Sequence, residues 1–190
     1  MYKVPIRHKR SISQELKKFV PLVNSLQARG KAATEEDTRI LLNDIFHYVL
    51  GYDKYHELKT ELREKGGRID YVVKLSDGPL KNKSDRFDFV VEAKASSVDL
   101  GQAVIDQTLK YCLTTNTDYF IVTNSVKWQL HKVKSGKNAA ATLVHEVIRS
   151  FALLPVSYQL FIISKSQKKR SRTSLRIRLL RLKLVILMPR

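Results

Sequence analysis

Cysteine is nearly absent from this chain, which has only Cys112 among its 190 residues. A disulfide framework is therefore excluded, and a reducing, cytoplasmic setting is expected. The five histidines are scattered, and no Cys/His cluster with zinc-ligand spacing occurs. A glycine-rich phosphate loop is also missing, which argues against ATP binding. Cys112 lies within a predicted helix, where a small core residue is a better interpretation than a nucleophile.

Long apolar runs are missing as well. A membrane-spanning helix needs about 20 apolar residues, and every apolar stretch in this chain is shorter. The basic start, MYKVPIRHKR, lacks the apolar centre and cleavage site of a signal peptide. With 43% hydrophobic and 28% charged residues, the composition is that of a soluble protein with one domain and some extensions.

Acidic residues are absent after Glu146. Residues 147–190 hold 11 of the 35 Lys and Arg residues, and the whole chain has a formal net charge of +17. A basic chain of this kind indicates a polyanionic partner. From Ser164 onward the composition is mainly Lys, Arg, Ser and Leu, and three interpretations stay open. The segment is an arm that binds nucleic-acid phosphates, a basic amphipathic segment on an anionic membrane, or sequence foreign to the fold, such as the product of a shifted reading frame.

Hydrophobic periodicity predicts the order of the elements. Helices are predicted over 11–29 and 35–50, ended by Gly30 and Gly51, with Thr34 as the N-cap of the second and Asp37 completing a loose capping box. Strands at 57–64 and 68–75 form a hairpin around Gly66-Gly67. After a polar loop come a strand at 87–94, a helix at 101–114, and strands at 118–123 and 127–133.

This order predicts an α/β fold with a mixed central β-sheet flanked by helices, in which helix 101–114 crosses over between neighbouring strands. A loop over 134–142, a helix over 143–154 and a strand over 156–163 are predicted to follow.

Two predicted strands carry carboxylates near their ends. Asp70 lies in the first, and Glu92 and Lys94 lie in the second, on one face because side chains alternate along a strand. Glu-x-Lys is a common triplet on the solvated face of an edge strand, but here it follows an apolar run typical of a central strand. Two such carboxylates can hold Mg²⁺, for which Mn²⁺ can substitute. Lys94 would position or deprotonate a water, or counter charge at phosphorus, as in a metal-dependent phosphodiesterase.

Two helices carry further candidates. Gln107 and Tyr111 are four residues apart and so share a helix face, although two polar residues exposed on a helix are ordinary. Glu35 and Glu36 occupy the first turn of the second helix. The helix dipole favours acids at that position and is sufficient to explain them.

The residues match a known family in five segments that come in the family's order. They are TEEDTRILLNDIFHYVLGYD (34–53), GGRIDYVV (66–73), FVVEAKASSVDL (89–100), QTLKY (107–111) and DYFIVTNSVKWQLHKV (118–133). Over about residues 30 to 135 the chain resembles the PD-(D/E)xK nucleases, in particular the N-terminal nuclease domain of type I restriction enzyme R subunits and its stand-alone relatives.

The resemblance implies a restriction-endonuclease-like core with Asp70, Glu92 and Lys94 as catalytic residues. It implies that Asp70 and Glu92 hold Mg²⁺, that Glu35 can join the metal site, and that Gln107 and Tyr111 support DNA binding near the cleavage site. DNA is the implied substrate, and other restriction-system subunits are implied partners. The R subunit is a large motor with helicase domains, for which this chain has no room, and a homo-oligomer stays open.

The predicted function is therefore a Mg²⁺-dependent DNA endonuclease, in defence against foreign DNA. The alternative is a non-catalytic DNA-binding or assembly module that retains the nuclease fold, and a weaker third interpretation is a nuclease directed at RNA. Residues 1–135 are predicted to form the restriction-endonuclease-like domain with its N-terminal helices. Residues 136–163 form a C-terminal extension, and residues 164–190 form a basic tail that is disordered or non-native.

We predict that deleting residues 164–190 leaves the nuclease core folded. Limited digestion with trypsin tests this, because the segment is rich in Lys and Arg and should be trimmed rapidly to a stable core. If the segment is a phosphate-binding arm, its removal should also reduce the slope of log K against log salt by about 0.9 for each lost phosphate contact. Resistance to trypsin throughout the segment would contradict the prediction.

Overall fold

A computed structural model describes residues 6–65, 67–75, 86–148, 159–161 and 186–188. The predicted polar loop lies outside the described residues except for Arg86, and so does most of the segment after residue 148.

Three α-helices are present among the described residues. Helix α1 (Ile6–Arg29) ends in a short 3₁₀ turn (Gly30–Ala32), α2 (Glu35–Asp44) continues into a π-helical turn (Ile45–Val49), and α3 comprises Gln102–Thr114. The two helices predicted at the start of the chain are confirmed, although α1 begins earlier, at Ile6. The predicted capping box is present, because Thr34 and Asp37 each accept a hydrogen bond from the other's main-chain N–H.

Six strands form the central sheet in the order β1-β2-β3-β4-β5-β6. Their bounds are β1 (Leu58–Glu64), β2 (Gly67–Val73), β3 (Phe89–Ala93), β4 (Tyr119–Thr123), β5 (Lys127–Lys134) and β6 (Ala140–Ile148). Within this sheet β3 and β4 pair in parallel and are connected by α3, whereas the other neighbouring strands pair antiparallel. This confirms the predicted α/β fold, its hairpin and its crossover helix, and it places β3 in the interior of the sheet.

Helices cover both faces of the sheet. On one face, Tyr71 and Val91 pack with Leu42 and Phe46 of the second helical segment. On the other face, Val72, Val90 and Val122 pack with Tyr111 and Cys112 of α3. Cys112 is fully buried and free, as expected of a core residue. Helix α1 packs outside α2 through Phe19, Val23 and Leu26. Because β2 and β3 are covered on both sides, their near-continuous apolar runs are explained.

The predicted helix over 143–154 is wrong. Residues up to Ile148 belong to β6, which pairs antiparallel with β5, and residues 149–154 lie outside the described residues. The strand also begins at Ala140, inside the predicted loop. Pairing with the otherwise open edge of β5 decides the outcome, since it satisfies the main-chain hydrogen bonds of both strands. Glu146 reinforces the pairing, because it accepts a hydrogen bond from Gln129 (2.6 Å) and forms an ion pair with Lys127 (3.1 Å).

Two short strands, β7 (Gln159–Phe161) and β8 (Ile186–Met188), pair antiparallel in a separate sheet. The first lies within the strand predicted over 156–163, and the second belongs to the predicted basic tail, whose other residues lie outside the described part of the chain. The division of the chain at residues 135 and 163 stays a prediction, and β6 lies beyond the first of these boundaries. Within the described residues, no helix is both long enough and apolar enough to cross a membrane.

We predict that Asp37→Asn lowers stability at neutral pH and that the loss disappears in acid. The hydrogen bond from the Thr34 main chain, followed by those from Arg29 and the Thr34 hydroxyl, lowers the pKa of Asp37 from 3.8 to about 2. A carboxylate with a depressed pKa stabilises the fold above its unfolded pKa, and this contribution is lost as the pH falls towards 2. Urea unfolding of the wild type and the variant between pH 7 and pH 2.5 measures the difference.

Thr34→Ala is the companion variant, since it removes the other half of the box and should cost about 1 kcal/mol at neutral pH. A stability difference between wild type and Asp37→Asn that stays constant down to pH 2.5 would show that the charge of Asp37 does not stabilise the start of α2.

Candidate metal and catalytic site

Asp70 and Glu92 come together at one end of the β2–β3 pair. The register pairs Tyr71 with Val91 and Val72 with Val90, so its continuation places Asp70 opposite Glu92. Asp70 accepts a hydrogen bond through Oδ2 from the main-chain N–H of Ala93 at 2.8 Å. Both carboxylates are buried, with 3% and 2% of their residue surface exposed. Adjacent strands thus bring together two residues that are 22 positions apart in the chain.

Lys94 lies between two carboxylates. Its Nζ is 2.6 Å from Oε1 of Glu92 and 3.2 Å from Oε2 of Glu35. Glu35 reaches this position because the capping box starts α2 at that residue, so the first turn of the helix points at the end of β3. The structure therefore brings together Glu35, Asp70, Glu92 and Lys94.

Burial and mutual repulsion shift the titration of these groups. Burial raises the pKa of Glu92 to about 7, and the charge of Asp70 adds to the rise while Lys94 opposes it. Burial likewise raises the pKa of Asp70, with Glu35 adding to it and the Ala93 N–H opposing it. Burial by itself would lower the pKa of Lys94, but Glu92 and Glu35 outweigh it and the net shift is upward. Burial thus disfavours the charged form of both carboxylates, and the neighbouring acids add to this effect.

The donor set of this pocket fits a hard divalent cation. Oε2 of Glu92 is buried and has no hydrogen-bond partner among the described residues, so one oxygen is available to a ligand. Mg²⁺ is commonly held by one or two carboxylates, with waters and phosphate oxygens completing its shell. Asp70 and Glu92 can supply those two carboxylates. Within the described ranges, no three His, Cys, Asp or Glu side chains form a group that could hold a metal ion. Glu35 is engaged with Lys94 at the rim of the pocket, and its role as a metal ligand stays a prediction.

Arg39 belongs to the same site, although it is not among the site residues predicted from the sequence. Its Nη1 bonds Glu36 at 2.8 Å and Glu61 at 2.9 Å, and its Nε lies 3.6 Å from Oδ1 of Asp70. One signal for it exists in the sequence. Arg39 precedes Leu42 and Phe46 by three and seven residues, so it lies on the buried face of the helix.

Gln107 and Tyr111 contact each other on α3. Nε2 of Gln107 donates to the Tyr111 hydroxyl at 3.0 Å, and Tyr111 is buried against the sheet. The hydroxyl lies against Gly67, the first residue of β2, which is the strand that carries Asp70. The shared helix face is therefore turned towards β2, and a contact of these residues with DNA stays a prediction.

We predict that Gly67→Ala destabilises the protein by about 1–3 kcal/mol, through backbone strain and a clash. Gly67 has φ +145°, and a Cβ there would lie 2.6 Å from the Tyr111 hydroxyl oxygen. Gly136→Ala is a matched control, since φ is +115° at that position but no atom lies within 4 Å of the added Cβ. Tyr111→Phe in the Gly67→Ala background should recover part of the loss in a thermal melt. Equal losses from the two glycine variants would show that the Tyr111 contact does not restrict this position.

Comparison with known proteins identifies one family. The family model described as Type I restriction enzyme R protein N terminus (HSDR_N) matches residues 34–147. No curated protein and no solved structure matches the chain. The matched range begins at the capping box of α2 and ends within β6, so it contains the four pocket residues, strands β1 to β5 and most of β6. This family supports a restriction-related nuclease role. Because the match covers more than half of the 190 residues, the chain belongs to the family of type I restriction enzyme R protein N-terminal domains.

Proposed function

We propose that the protein is a Mg²⁺-dependent endonuclease that hydrolyses phosphodiester bonds in DNA as part of a restriction system. The observation that carries the proposal is the pocket formed by Asp70, Glu92 and Lys94. Two buried carboxylates with raised pKa values lie there beside one ammonium group. Buried acids of this kind are costly to the fold, and their concentration at one place indicates a functional site.

Asp70 and Glu92 would hold the cation, which supplies charge neutralisation and an activated water when bound. Asp70 can offer Oδ1 to the metal, because Oδ2 accepts from the Ala93 N–H and Oδ1 lies 3.6 Å from Nε of Arg39, beyond hydrogen-bond distance. Glu92 presents Oε2, because Oε1 is bonded to Lys94. One oxygen of each carboxylate would therefore remain for the metal.

In this arrangement Lys94 acts as a positively charged hydrogen-bond donor and not as a base. Two acidic neighbours favour its protonated form, and the ammonium has room for a further acceptor besides Glu92 and Glu35. A phosphate oxygen of the substrate is such an acceptor. Negative charge on that oxygen grows as water attacks phosphorus and the bond to the leaving oxygen breaks, so the contact strengthens in the transition state.

We also propose that other subunits of a restriction system bind this protein as partners. Phosphodiester hydrolysis at such a pocket does not read the bases, so the choice of a DNA site needs a further recognition element. The positive net charge of the chain favours its association with DNA.

The test is incubation of the purified chain with plasmid DNA and Mg²⁺ or Mn²⁺. We predict that Lys94→Ala lowers the cleavage rate by about 100-fold or more, which is the usual cost of losing one donor to a developing charge. Lys127→Ala is the matched control. It removes a lysine of β5 that is paired with Glu146, three strands away from β2, which carries Asp70. Its rate should equal that of the wild type.

Calorimetric titration with Mn²⁺ accompanies the assay. The wild type should release or absorb heat on binding, and Asp70→Ala should lose that heat. Cleavage by Lys94→Ala at the wild-type rate, with a lower melting temperature, would assign Lys94 a purely structural role. Absence of cleavage by the wild type, with DNA still bound, would favour the non-catalytic module instead.

A further inference from the structure

Strand β2 changes face at Asp70. Ile69 packs with Tyr111 and Cys112 on the α3 side of the sheet, whereas Tyr71 packs with Phe46 on the opposite side. In a regular strand, residues two apart lie on the same face. The alternation of side chains along β2 is therefore broken at Asp70, which lies between them and is one of the two buried carboxylates of the pocket.

The partner strand is distorted at the same level. Thr60 pairs with Tyr71 and Leu62 pairs with Ile69, so Glu61 stands opposite Asp70, but these two residues are not paired with each other. Glu61 has φ +55°, in the left-handed region that glycine favours and glutamate rarely adopts. Such a conformation persists only where surrounding contacts hold it.

Arg39 provides contacts on both sides of this distortion. Its guanidinium bonds Glu61 at 2.9 Å on β1 and lies 3.6 Å from Asp70 on β2. Its main-chain carbonyl accepts a hydrogen bond from the buried Tyr71 hydroxyl at 2.6 Å. Arg39 of α2 therefore holds three residues: Glu61, Asp70 and Tyr71.

The other oxygen of Asp70 is held from the opposite direction. Ala93, which donates to Oδ2, lies between Glu92 and Lys94 on β3. Asp70 is thus placed between Arg39 and the main chain of β3. A change at Arg39 would reach the pocket through this carboxylate, because among Asp70, Glu92 and Lys94 the described structure pairs Arg39 with Asp70 alone.

We propose that Arg39 is a positioning residue that holds the kink in the β1–β2 pair and thereby aims Asp70 at the pocket beside Glu92. Arg39 does not contact the reacting atoms. Its planar guanidinium can bond two carboxylates at once, which the single ammonium of a lysine cannot do with the same geometry. The consequence for metal binding rests on the proposed function, whereas the effect on Asp70 does not.

The first experiment uses metal-free protein and records the Ala93 amide by ¹⁵N NMR. Asp70→Asn provides the reference in which the carboxylate is lost. Arg39→Gln should move the Ala93 amide resonance towards that reference and speed its hydrogen exchange by about tenfold or more, because Asp70 is released. Arg68→Gln is the matched control. Arg68 also pairs with Glu61, at 3.2 Å, but its side chain is 54% exposed and the structure gives it no bond to Asp70.

Arg39→Lys keeps the buried charge and the aliphatic stem, so it serves if Arg39→Gln does not fold. Its Ala93 amide should shift in the same direction as in Arg39→Gln. An Ala93 amide that is unchanged in the folded Arg39 variants, whatever their melting temperatures, overturns the proposal and leaves Arg39 as a tie between α2 and β1.

The second experiment titrates Mn²⁺ into the wild type, Arg39→Lys and Arg68→Gln. Loss of a residue that orients a metal ligand typically weakens metal binding by about 10- to 100-fold, and we expect this for Arg39→Lys but not for Arg68→Gln. Unchanged or tighter binding by Arg39→Lys overturns the proposal, since it would mean that Arg39 acts only through its charge. If the wild type binds no Mn²⁺, the proposed function fails, and the Ala93 amide still decides the role of Arg39.

Discussion

The burial of two carboxylates at the end of the β2–β3 pairing is the constraint on which the pocket depends. Asp70 and Glu92 are almost fully excluded from water, and burial raises the pKa of each. An unpaired buried charge is too costly for a domain of ordinary stability, so cationic and hydrogen-bonding groups must be supplied to it. Lys94, Arg39 and the Ala93 N–H supply them here. Each comes from an element that the rest of the fold has to hold in place.

Helix α2 is the element that connects the core to the pocket. The C-terminal part of α2 contributes Leu42 to the packing against the sheet, and the π-helical turn that follows contributes Phe46. Its first turn brings Glu35 to Lys94, and Arg39 lies between the two regions. The capping box fixes where the helix starts, and therefore which residues face the pocket. Stability of the helix and geometry of the pocket thus depend on the same few residues.

Periodicity was sufficient to predict most elements up to β5. The apolar runs of β2 and β3 are typical of strands buried on two faces, and the apolar residues of α3 recur at the spacing of a helix buried on one face. The end of the central sheet was not predictable in this way. Residues 143–148 include Leu143 and Val144, which are half exposed, and carry no clear period. Only the open edge of β5 made them a strand, and that edge exists only once the sheet has formed.

The candidate acids were found from the sequence because Asp, Glu and Lys are unusual inside apolar strands. Their chemistry and spacing were sufficient to indicate a pocket for a divalent cation, and residues 34–147 carry the family pattern. The tertiary structure decided how the acids are held. The left-handed backbone of Glu61 and the change of face at Asp70 lie 22 and 31 positions along the chain from Arg39, which pairs with both residues. Local sequence cannot specify such contacts, because their energy comes from burial and charge that arise only when α2 packs against the β1–β2 pair.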